Sequence, residues 1–226
     1  NIVKSVSIAL AVSAPFNTSL CPSFNAQQFW TDTMLTAEAA SLLVPVINKS
    51  RQILGFSEVL DSGTTRTAAL LSTLGLLFIV HYYHQQAEAA LKRKDKDVST
   101  CLRQHCFDLL GIYPSDAGRV MAEELTLPAI LTCAMTANMK SGSKSNDWPT
   151  IAVVALSRWL ITASEAEDIP ESQQPYELQE SLSPPLLPFG DALFSEVLNE
   201  KVRLALFDDL GIASRSVVEV AKSIKW

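Results

Sequence analysis

The chain has 226 residues, 48% of them hydrophobic, with 8 glycines and a net charge of −6. That is apolar material for a sizeable core in one large domain or two small ones, and the acidic balance, with no basic stripe and no interleaved aromatics, argues against nucleic acid as a partner. Abundant Ala and Leu, scarce Gly and no sustained alternation of β-branched residues predict an all-α protein.

From the N-terminus, SVSIALAVSA (5–14) reads as an apolar helix ended by Pro15. No signal-peptide pattern opens the chain. Cys21 to Asn25 reads as a loop. FWTDTMLTAEAASLLVPVINK (29–49) reads as a long helix, with Trp30, Met34, Ala37 and Val44 at helical spacing. Ser57 to Asp61 is expected as a turn or short helix, and Thr64 to Ala90 as one long helix or two short ones. The apolar run AALLSTLGLLFIV (68–80) lies in this stretch. With roughly 13 residues before His81 it falls short of the about 20 that a membrane span needs, so it is expected as a core helix.

KRKDKD (92–97) is expected as a solvated helix end or loop. Val98 to Leu110 reads as an amphipathic helix stopped by Gly111. Pro114-Ser115-Asp116 opens the next helix, and Pro128 stands at the start of AILTCAMTANMK (129–140). IAVVALSRWLITASEA (151–166) is an apolar helix. Residues 167–190, rich in proline, form an irregular connector. DALFSEVLNEKVRLALFDDLG (191–211) is expected to end at Gly211, with Ser216 and Glu219 at capping-box spacing for a last helix.

Little of this pattern carries chemistry. His81 and His84, at i and i+3, have a spacing that suits a metal, but no carboxylate stands near them in sequence. Cys101, His105 and Cys106 are a conceivable zinc set without an evident fourth ligand. Small core cysteines and a helix-end histidine pair are the plainer readings. Cys21, Cys101, Cys106 and Cys133 form no framework, which predicts reduced thiols and a cytoplasmic location. The chain has no P-loop, dinucleotide fingerprint, nucleophile elbow or HExxH.

LGIYPSDAGRVMAEELTLPAILTCAM (110–135) resembles a motif of the HDOD family, all-α relatives of the HD phosphohydrolases. The family pattern of Leu-Gly, a His three residues on, a Gly four further, then an aromatic or apolar residue before x-Leu-Pro, finds here Leu110-Gly111, Pro114, Gly118, Leu125 and Leu127-Pro128. FWTDTMLTAEAASLLV (29–44) is similar to the family's Phe-Trp-x-His-Ser helix, with Asp32 where the enzymes carry His. ALLSTLG (69–75) is similar to the Leu-Leu-His-Asp-Ile-Gly segment, with Ser72 and Thr73 in the His-Asp places. Asn138 and Met139 fall where a His-His pair is common, and Arg158 in VVALSRWL (153–160) takes the place of an Asp.

The resemblance covers about residues 1–165. It implies a multi-helical HD-like (HDOD) bundle with no catalytic residue, no metal and no cofactor. Its degenerate site is Asp32, Ser72, Thr73, Pro114, Asn138, Met139 and Arg158. On the alignment, an Asp32–Arg158 salt bridge replaces the metal. The implied function is non-enzymatic signal transduction in a bacterial cell, by binding other signalling proteins or fused domains, with no membrane and no nucleic acid involved. The alternatives are a metal-dependent phosphohydrolase or cyclic-nucleotide phosphodiesterase, and a helical scaffold that binds no signal. The expected division is a domain over 1–166 that lacks the family's N-terminal helical part, the connector 167–190, and C-terminal helices over 191–226 packed on the domain. The apolar segment 2–14 is then expected either to make a homo-oligomer or to be covered by 191–226.

Overall fold

Helix α1 (Ala26–Lys49) begins because Asn25 caps it: the Asn25 side-chain oxygen accepts the Gln28 N–H at 3.0 Å. The helix therefore starts a turn earlier than its apolar spacing indicates. In the computed structural model, which describes residues 7, 11–12, 14–96, 102–136, 148–165 and 197–223, α1 is the centre of the packing. Its residues Trp30, Met34, Ala37, Ala40, Leu43, Val44 and Ile47 are buried. A fully buried side chain such as Leu43 contributes about 1.5–3 kcal/mol. Its buried threonines are satisfied by their own helix: Thr31, Thr33 and Thr36 donate to the carbonyls of Gln27, Phe29 and Asp32 at 2.7–2.8 Å.

The remaining helices are α2 (Ser62–Leu71), α3 (Leu74–Tyr82), α4 (His84–Lys96), α5 (Leu102–Leu110), α6 (Pro114–Glu124), α7 (Ala129–Thr136), α8 (Trp148–Glu165) and α9 (Glu200–Ser223). No strand occurs among the described residues, so the all-α expectation holds. Helices α2, α8 and α9 pack around α1; α3 lies on α6, α6 on α7, and α7 on α2 and α8.

Several boundaries follow the residues that were expected to set them. Pro114 stands at the start of α6, and the Asp116 carboxylate accepts the Tyr113 N–H at 2.9 Å. Gly111, with φ +71°, leaves α5 in the left-handed region that glycine tolerates. Helices α1 and α2 are tied by the half-buried pair Arg66–Glu38, with Ser41 also accepting from Arg66 Nη1 at 3.2 Å.

Other boundaries differ, among them the start of α9, which is at Glu200 and not at 191, since 198–199 are not helical. Thr64 to Ala90 is neither one helix nor two: α2, α3 and α4 are separated at Ser72-Thr73 and at Tyr83. Gly211 does not end a helix. The buried stripe Leu206, Leu210, Val217 and Ala221 runs through it, so α9 continues and Ser216 and Glu219 are interior positions. Segment 5–14 lies largely, and 97–101, 137–147 and 166–196 wholly, outside the described residues. Taken together, Ser62–Tyr82 is long and apolar enough to cross a membrane, in contrast to the 13-residue count of its uninterrupted run, yet more than half of it is buried inside the protein.

The second layer depends on two close backbone approaches. A Cβ on Gly75 would overlap the Pro114 carbonyl oxygen and stand 2.7 Å from the Gly118 nitrogen. A Cβ on Gly118 would stand 2.8 Å from the Met135 carbonyl oxygen. Helices α3, α6 and α7 thus stack backbone to backbone. Gly75→Ala is expected to cost about 1–3 kcal/mol or more by forcing α3 off α6. Gly211→Ala, with nothing within 4 Å of the added methyl, is expected to stabilise α9 by about 0.5–1 kcal/mol. Urea unfolding of both variants checks the pair, and equal effects would contradict the stacking.

Candidate functional site

At the break between α2 and α3, polar side chains from three parts of the chain meet: Ser72 and Thr73, Thr33 of α1 and Arg158 of α8. In a continuous helix the Leu76 N–H would bond to the Ser72 carbonyl. Here it bonds to the Thr73 carbonyl at 3.1 Å. The Ser72 carbonyl instead accepts from Arg158 Nη2 at 2.9 Å, and Ser72 Oγ accepts from the same nitrogen at 2.7 Å. The single Ser72 hydroxyl proton goes to the Ala69 carbonyl at 2.6 Å. A guanidinium from α8 therefore takes the carbonyl that would have carried the helix onward.

Thr73 extends the arrangement to α1. Its hydroxyl lies 3.0 Å from Thr33 Oγ1. Thr33 commits its own proton to the Phe29 carbonyl, so Thr73 is the donor. Ser72 and Thr73 thus do not bond inside a continuous helix; they stitch a helix break to α8 and α1.

Of the other expected positions, Asp32 and Pro114 are among the described residues. Asp32, half-buried on α1 beside Thr33, accepts from Gln28 Nε2 at 2.7 Å. Pro114 presents its carbonyl to Gly75, two residues beyond Thr73. Asn138 and Met139 lie outside the described residues. Among the described residues, the side chains at these positions do not fit a divalent metal. Pro114 has no ligand atom, and Arg158 carries a permanent positive charge. Among the described residues no group of three or more His, Cys, Asp or Glu side chains stands close enough to share a metal ion.

The histidines and cysteines have separate surroundings. His81 Nδ1 accepts the Asn17 N–H at 2.9 Å, and its ring meets Phe16 edge-on. His105 and Cys106 are buried on α5; Cys101 lies outside the described residues. Cys21, Cys106 and Cys133 are free thiols. Cys21, within the segment 14–25, is buried against Ile79, Val80 and Ala87, and burial together with the neighbouring Glu88 carboxylate pushes its thiol up to about 11.

Glu88 anchors that segment. It accepts the Ser23 N–H and the Ser23 hydroxyl at 2.8 Å each, pairs with Lys92 at 2.9 Å, and receives the Cys21 thiol at 3.5 Å. Sequence reading missed it, because Ser23 lies 65 residues away and Glu88 carries no local signal beyond its Lys at i+4.

No family model, no curated protein and no solved structure matches the chain.

Two outcomes test these contacts. Arg158→Met removes a charged donor from Ser72 and is expected to cost about 1.5–3 kcal/mol, whereas Ser72→Ala, which leaves the carbonyl contact, costs about 1 kcal/mol; chemical denaturation reads both. For Glu88, donation from the Ser23 backbone first, and then from Lys92 and the Ser23 hydroxyl, lowers its carboxyl to about 2 from an ordinary 4.5. Its stabilising effect is therefore present above about pH 4.5 and is lost as pH falls toward 2. Glu88→Gln is expected to flatten that acid limb in thermal melts between those pH values. An unchanged acid limb would contradict the assignment.

Proposed function

We propose that this chain is a non-enzymatic, HDOD-like signalling domain that acts by binding other proteins or domains in a bacterial cytoplasm. The single observation that carries the reading is the Arg158–Ser72 contact. At the positions where the resemblance would put a metal-binding His-Asp pair and its distal Asp, this chain carries a serine, a threonine and an arginine. Their hydrogen bonds join α8, the α2–α3 break and α1. A metal-activated water needs imidazole and carboxylate ligands on converging helices. A guanidinium bound to a backbone carbonyl supplies neither the ligand nor the charge, but it does fix three helices in one arrangement. A rigid helical body of that kind suits recognition of a partner.

The Asp32–Arg158 salt bridge belongs to the same proposal, since α1 and α8 pack on one another. A double-mutant cycle with Asp32→Asn and Arg158→Met is expected to give a coupling of about 0.5–1 kcal/mol. The experiment on function is an assay of phosphate-monoester and cyclic-dinucleotide hydrolysis with manganese, iron or zinc supplied. The expected result is no turnover above the buffer rate. A turnover that survives stringent purification and vanishes in Asp32→Ala would overturn the proposal in favour of an HD-type phosphohydrolase.

A further inference from the structure

We propose that His81 is a proton-operated latch on the segment 14–20, holding it against α3 when neutral and releasing it when the imidazole takes a second proton. The segment 14–25 contains no Asp, Glu, Lys, Arg or His, so the charged and titratable groups that hold it are supplied by α3 and α4. Two anchors do this. At the front, His81 Nδ1 accepts the Asn17 backbone N–H at 2.9 Å. At the rear, Glu88 holds Ser23 and Cys21. Phe16 and Phe24 pack on the hydrophobic core between and beside them.

The front anchor is chemically conditional. A ring nitrogen accepts a hydrogen bond only through its lone pair, and protonation of that nitrogen turns acceptor into donor. The Asn17 N–H then faces another N–H. The nearest compensating acceptor is the Asn17 carbonyl, 3.4 Å from the same nitrogen, at the outer limit of hydrogen-bonding range. Protonation therefore exchanges a good bond for a poor one.

The surrounding groups do not offer His81 an alternative trigger. On its own helix the neighbour is the Tyr82 ring, edge-on at 4.4 Å. On α4, Glu88 is engaged with Ser23 and Lys92, and His84 is half-buried three residues further along the chain. On α6, Asp116 holds the Tyr113 N–H and Arg119 pairs with Glu123. Where α6 approaches the His81 end of α3 it does so with the uncharged Ala117, which packs with Ile79 and Val80. Because the Glu88 carboxyl lies at about 2, the rear anchor does not change over the range in which imidazoles commonly titrate, about pH 5 to 8.

The test is amide hydrogen exchange on the full chain across that pH range, with each rate divided by its intrinsic value. Opening at Asn17 is expected to rise about fivefold on acidification, as loss of one hydrogen bond of about 1 kcal/mol implies. Opening at Ser23 is expected to stay constant. In His81→Phe, which keeps an aromatic edge toward Phe16, Asn17 is expected to be open at every pH. In His81→Gln, which offers an acceptor that does not titrate, it is expected to be protected at every pH. An Asn17 response absent from the wild type, shared equally by Ser23, or surviving in either variant would overturn the latch.

Discussion

A buried backbone carbonyl needs a hydrogen-bond partner, and at Ser72 that partner is the Arg158 guanidinium. Three parts of the chain meet at this contact and beside it: α8, the α2–α3 break and α1. The contact lets α2 stop and α3 restart within two residues, in the middle of the most apolar part of the chain. It directs α3 away toward α6 instead of continuing along α1. It also pins α8 to the point where Thr73 meets Thr33, so three elements distant in sequence share one polar junction in an apolar core. The cost of an unpaired group there, about 1–3 kcal/mol, is large beside the net stability of a domain, which makes the junction a determinant of the packing.

Beyond the break, the constraint passes from hydrogen bonding to volume. The turn at Ser72-Thr73 is followed by Gly75, which lies against the Pro114 carbonyl, and Gly118 in turn lies against the Met135 carbonyl. Residues with any side chain at either place would push the layer apart. The requirement is that α6 fit between α3 and α7 at backbone distance.

How much of this was legible in the sequence depended on distance along the chain. The helical class, the apolar stripe of α1, the stop at Gly111 and the start at Pro114 are set by residues within a turn or two of one another, and the sequence displays them. The break at Ser72-Thr73 depends on Arg158, 86 residues away, and a local reading of an apolar run has no means of finding it. Glycine at 211 carries the usual signature of a helix end, yet the buried stripe that continues past it outweighs the propensity of one residue. Of the candidate site, Asp32, Ser72, Thr73, Pro114 and Arg158 were named from the resemblance alone. The structure adds which of them touch, and it adds Thr33, whose hydroxyl no motif marks. The tethers from Glu88 and His81 were invisible for the same reason as the break: each joins residues more than sixty positions apart.

The central proposal is that a guanidinium and two hydroxyls, those of Arg158, Ser72 and Thr73, stand where the resemblance would put a metal site. Elemental analysis of the chain, purified without chelator from cells supplied with manganese, iron and zinc, tests it most directly. The account predicts no stoichiometric transition metal. Stoichiometric manganese, iron or zinc that is lost on Asp32→Ala would contradict it.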